Sequence, residues 1–133
     1  MKPASNRKIL QWVLLLVASH SIGFGLALIV LPIDVLTIFG FHLYEKFFAI
    51  QGGVFHLIIS VAYIMAALKP DGSGNLIFLS CFTKFSATIF LFTYFFFVKM
   101  IPMVFVAAIG DFLMGLAILF AYFKYTGFKR GAW

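Results

Sequence analysis

Cysteine and acid are both nearly absent from this 133-residue chain: Cys81 is the one thiol, and Asp and Glu together number four. A lone cysteine excludes an intrachain disulfide and a cysteine-based metal cluster. Charge of either sign is scarce, at 11% of residues against 64% hydrophobic; soluble domains carry about 25% charged and about 45–50% apolar residues. So few charges cannot clothe a water-facing surface around this much Phe, Leu, Ile and Val. A soluble enzyme, a nucleic-acid binder and a disordered segment are therefore excluded.

Recognisable catalytic motifs are missing too. The apolar runs hold a single acid, so there is no paired-carboxylate site. No nucleophile elbow, phosphate-binding glycine loop or metalloprotease helix occurs, and Gly72-Ser73-Gly74 reads as turn punctuation. The expectation is a non-enzymatic protein with no catalytic residues and no metal site.

What is present is long apolar sequence. A hydrocarbon core about 30 Å thick takes about 20 helical residues to cross, and four runs of that length are bounded by charge, proline or turn signals. They cover residues 9–31, 47–68, 76–98 and 102–123. Pro102 suits the first turn of the fourth helix. The connections are short, which predicts one domain over residues 1–133: an all-α, integral membrane, antiparallel four-helix bundle running up-down-up-down.

The net charge of +6 orients it, because Lys and Arg collect on the cytoplasmic side. Lys2, Arg7, Lys8, Lys69, Lys124, Lys129 and Arg130 flank one side, and only Lys46 and Lys99 the other. Both termini are expected to be cytoplasmic, in a bacterial inner membrane. The loop from Pro32 to Lys46 mixes Phe39, Phe41 and Tyr44 with Asp34, His42 and Glu45, as a segment lying flat in the headgroup layer does. Trp12, Tyr122, Tyr125 and Trp133 suit an aromatic belt on the terminus side.

Each span also carries a polar residue that hydropathy disfavours. His20 lies at the middle of span one, His56 near the middle of span two, and Asp111 near the middle of span four. Lys84 sits off the centre of span three, on a stem long enough to reach it. A charge at the bilayer centre costs about 2.5–3.5 kcal/mol on insertion scales, so such groups turn inward and pair. An ion pair between Lys84 and Asp111 is the cheapest arrangement.

Helical periodicity surrounds these residues with small or polar stripes. They read Leu16, His20, Gly23, Phe24 and Ala27 on span one, and Ala49, Gly52, Gly53, His56, Ser60 and Tyr63 on span two. Span three gives Ser80, Lys84, Ala87 and Thr88, with Phe78, Phe82, Phe85, Phe92 and Phe96 on its opposite, lipid-facing side. Span four gives Ala107, Ala108, Asp111, Gly115, Ile118 and Tyr122. His20, His56, Lys84, Asp111, Ser60, Tyr63 and Thr88 are thus the candidates for ligand binding or proton relay.

Alternatives stand beside this. The ion pair suits a device that only sets helix register. The histidines suit hydrogen bonds to Ser19, Ser21 or Ser60, or the axial ligation of a haem b, with Gly52 and Gly53 leaving space for a flat ring. Cys81 reads as an inert apolar residue.

The layout resembles the small DoxX-like membrane proteins. A first span ending in Leu31-Pro32, a loop ending near Phe39-Gly40, a second span opening around Gly52-Gly53, a basic residue in span three and an acid in span four carry the resemblance. It implies that Lys84 and Asp111 fall at the group's intramembrane basic and acidic positions, and it links the group to quinone oxidoreduction. The expected function is binding of a lipid-like or quinone-like ligand, or assistance to a membrane redox complex. A structural subunit and a small proton-coupled transporter are the competing readings. Membrane lipids and a homo-oligomeric or membrane-complex partner are expected; nucleic acid is not.

Overall fold

Proline and glycine punctuate the chain where helices must begin and end. Pro102 occupies the first turn of the last helix, where its missing N–H costs nothing, and Gly127 closes that helix in the left-handed conformation at φ 73°, which glycine adopts without strain. In the computed structural model, which describes residues 4–42 and 44–127, the described residues form five helices and no strand. These are α1 (Ala4–Val30), α2 (Ile33–Ile38), α3 (Phe47–Leu68), α4 (Gly74–Phe97) and α5 (Pro102–Thr126). All but α2 are long and apolar enough to cross a membrane.

The helices outrun the expected apolar spans at the terminus end. α1 starts at Ala4 rather than Ile9 and α5 runs to Thr126 rather than Phe123. Arg7, Lys8 and Lys124 limit the depth of the hydrocarbon run, but Arg and Lys are good helix formers and do not stop the backbone. Asn6 donates to the Lys124 carbonyl at 2.9 Å, satisfying one of the carbonyls that the end of α5 leaves open. The Pro32–Lys46 connection contains α2, a helical turn and a half whose Leu36 is buried. Lys46 then reaches back, its Nζ donating to the Ile29 carbonyl at 2.6 Å, and so places a cation on the negative end of α1.

α1 packs chiefly on α3, and α4 on α5; contacts of α1 with α5 and of α3 with α4 are smaller. The first pair closes backbone to backbone. A methyl group built on Gly53 would stand 2.6 Å from the Gly25 carbonyl oxygen and 2.6 Å from Ile29 Cγ1. Small residues at a helix crossing permit this approach, and packing rather than water expulsion holds helices together in lipid. The α4–α5 pair is joined through rings instead: Phe92 meets Phe105 at 5.7 Å and Phe95 meets Phe105 at 5.0 Å between centroids.

The core shared by all four long helices lies at the terminus end. It comprises Leu10, Leu14, Val17 and Ala18 of α1, Tyr63, Ala66 and Ala67 of α3, Ile77 and Cys81 of α4, and Ile118, Ala121 and Tyr125 of α5. Beyond this core, burial is mostly within each hairpin, at Gly25, Ala49 and Gly53 on one side and Val104 and Ala108 on the other. At the far rim the segment after α2 reaches the second hairpin, where Gly40 abuts Ile101.

Several expected faces differ. The α1 stripe is shifted: Leu14, Val17, Ala18, Ser21 and Gly25 are buried, while Leu16 is exposed and Gly23 has open space around it. Two partners set this face, since α1 meets α3 through Gly25 and α5 through Asn6. A stripe centred on His20 serves neither. On α4, Phe78, Phe82 and Phe96 are exposed as expected, but Phe85 and Phe92 lean onto Phe112 and Phe105 of α5.

Tyr125 is the clearest correction to the aromatic belt. It is 2% exposed, and its hydroxyl donates to Asp71 in the α3–α4 turn. Arg7 Nε also approaches Asp71, at 3.7 Å, and Gln11 donates to the Ala67 carbonyl at 2.9 Å, so the turn is tied to both ends of the chain. Trp12 is exposed and Tyr122 half-buried, as a belt requires. Lys2, Lys129, Arg130 and Trp133 lie outside the described residues. Tyr125→Phe is expected to lower stability by about 1–2 kcal/mol, the worth of a hydrogen bond to a partly solvated carboxylate. Arg7→Ala is expected to cost less than about 1 kcal/mol, because that pair is half exposed. Unfolding of the two variants in mixed micelles checks the order.

Candidate polar site at the centre of the helices

Lys84 and Asp111 face each other across the α4–α5 crossing because Gly115, one turn beyond Asp111, lets α5 lie close. A methyl group on Gly115 would fall 3.3 Å from Lys84 Cβ and 3.1 Å from the Phe85 ring. Lys84 Nζ donates to Asp111 Oδ1 at 2.6 Å, with the side chains only 3% and 12% exposed. Two opposite charges at this depth are stable only as a pair, since each alone would carry its full desolvation cost. The ammonium also lies 5.9 Å from the centroid of the Tyr63 ring, within the range of a cation–π attraction. Tyr63 is fully buried on α3, so the pair touches three of the four long helices.

α1 contributes Ser21, fully buried, whose Oγ lies beside the Tyr63 hydroxyl. α3 contributes His56, half-buried, whose Nδ1 is buried and unpaired. Both histidines lie within Coulombic reach of Lys84 and Asp111. Unpaired buried polar atoms cost about 1–3 kcal/mol each, and native interiors rarely leave them so. By contrast, the hydroxyls of Ser60 and Thr88 are already committed. Ser60 donates to the Leu57 carbonyl at 2.6 Å and Thr88 to the Lys84 carbonyl at 2.8 Å, the back-bonding by which such residues settle within a helix.

Of the seven residues singled out from sequence, Lys84, Asp111 and Tyr63 come together, and His56 lies within Coulombic reach of the pair with its Nδ1 unpaired. Ser60 and Thr88 are present but internally satisfied. His20 is exposed and stands off from the core, stacked near-parallel to Phe24 at 6.3 Å. The expected hydrogen bond from His56 to a serine is not formed.

Phe24 stands between the two histidines. Its ring meets His56 edge-on at 5.0 Å and 66°, while it lies at 6° to His20, so the imidazoles are strongly inclined to one another with a phenyl ring touching both. Ser21 is the residue that sequence reading passed over as a site member. It lies one position from His20, and the shift of the α1 face turns it inward.

In comparisons with protein-family models, curated proteins and solved structures, the chain matches none.

Proposed function

We propose that the chain is a non-enzymatic membrane protein, an up-down-up-down bundle with both termini cytoplasmic, whose polar centre binds the head of a small lipid-like or quinone-like molecule. The observation that carries this reading is the coincidence of a satisfied ion pair with an unsatisfied neutral imidazole. Lys84 and Asp111 neutralise each other, while His56 Nδ1 is buried without a partner and the Ser21 and Tyr63 hydroxyls lie side by side, so the site has hydrogen-bonding capacity without net charge. Such a site suits a neutral carbonyl or hydroxyl head on an apolar tail. Ligand sites in helical bundles are built from facing side chains in this way.

The opposite directions implied by the helix contacts support the bundle topology. Gln11 meets Ala67 near the start of α1 and the end of α3, and Gly25 meets Gly53 near the end of α1 and the start of α3. The DoxX-like resemblance and a role beside a redox complex in a bacterial inner membrane belong to the same reading. A register-setting role is the second reading, favoured by the packing of the pair against Gly115.

Native mass spectrometry of protein extracted in mild detergent separates them. Ligand binding predicts an added mass on the wild type that is lost in Lys84→Met/Asp111→Leu, a double variant that removes the polar pair without stranding a charge. A register role predicts the same bound masses in both.

A further inference from the structure

A furrow of about 550 Å³ runs along the outer side of α4, between it and α5. Its mouth is formed by Gly74, Asn75 and Tyr122, its floor includes Ile77 and Cys81, and it extends to Ile89. The body of the furrow is lined by apolar side chains, several of them exposed phenylalanines such as Phe78 and Phe82. From Gly74 to Ile89 the helix rises about 22 Å, roughly the depth of one leaflet with its headgroup layer. A lipid-facing furrow of that length is filled by an acyl chain in a bilayer.

The mouth itself is uncharged, and the charge around that end of the molecule favours an anionic head. α4 begins without a side-chain cap and without an acid in its first turn, because Ser73 turns its hydroxyl to the Lys69 carbonyl at 2.5 Å. The positive end of a 24-residue helix is therefore left to meet an anion. Arg7, Lys8, Lys69 and Lys124 are gathered at the same end, and the one acid there, Asp71, is engaged by Arg7 and Tyr125.

We propose that this furrow holds one acyl chain of an anionic phospholipid, with the phosphate of its headgroup at the mouth beside Asn75. The site is separate from the Lys84–Asp111 centre, and either assignment stands or falls without the other.

The test uses purified protein given phosphatidylglycerol and phosphatidylcholine with identical acyl chains in equal amounts, read by native mass spectrometry. Wild-type protein is expected to retain one phosphatidylglycerol in preference to phosphatidylcholine. Asn75→Asp is expected to lower that preference several-fold; an acid at this position favours the helix, so the loss does not reflect unfolding. Ser86→Trp, which fills the furrow from an exposed position, is expected to lower retention of both lipids. A phosphatidylglycerol carrying a diazirine in its acyl chain should label α4 around Cys81. Equal retention of the two headgroups, a preference unchanged by Asn75→Asp, or label spread as densely over α1 and α3 would overturn the assignment.

Discussion

Lys84→Met is expected to destabilise the protein by about 3–5 kcal/mol, and Asp111→Asn by a similar amount, whereas Lys84→Met/Asp111→Leu is expected to lie within about 1 kcal/mol of the parent. The reasoning turns on what each change leaves behind. Lys84 Nζ and Asp111 Oδ1 stand 2.6 Å apart with little exposure, so removing one strands the other where neither water nor a second counter-ion compensates it. The Tyr63 ring offers the ammonium only a weak substitute. Removing both deletes the attraction and the two desolvation costs together. Unfolding of the four proteins in mixed micelles, followed by circular dichroism, gives the coupling directly. Additive single effects would mean that the pair contributes nothing as a pair.

The second large effect is expected at Gly53. An alanine methyl there would meet the Gly25 carbonyl oxygen and the Ile29 side chain, both at 2.6 Å, and a backbone carbonyl cannot swing aside as a side chain does. α1 and α3 would have to separate along their main contact, at a cost of about 2–3 kcal/mol, the upper part of the range for overpacked interiors. Gly52→Ala is the control. Its methyl would find only Leu28 Cδ1 at 3.6 Å, an ordinary contact, and should change stability by less than about 0.5 kcal/mol. Equal effects at the neighbouring positions would contradict the close crossing.

The contrast between Gly52 and Gly53 also shows where sequence reasoning reaches its end. The pattern placed both on the small-residue face of α3, and periodicity alone cannot separate adjacent positions when a helix has two neighbours. For α3, α4 and α5 the expected inner stripes agree with burial at Ala49, Gly53, Ser60 and Tyr63, at Ser80, Lys84 and Thr88, and at Ala108, Asp111, Gly115 and Ile118. Those helices carry their polar residues inward because lipid penalises any other placement. For α1 the same logic chose His20 over Ser21. An exposed imidazole can lie at an edge against Phe24, while the smaller serine hydroxyl is buried on the side where Gly25 meets α3. Lys84 with Asp111 was legible because opposite charges in an apolar span have few solutions. The Tyr125–Asp71 contact was not, since nothing local in a Pro-Asp-Gly turn reveals that a tyrosine 54 residues away will reach it.

The uneven distribution of the shared core sets where the two hairpins hold together. They are pinned together near the chain ends by the packed side chains and by Asp71, and they meet again through Gly40 and Ile101 at the opposite rim. The Lys84–Asp111 pair lies within the second hairpin, while Ser21 and His56 belong to the first. The polar centre therefore bridges the thinner seam, where one hairpin touches the other less than its own two helices touch each other.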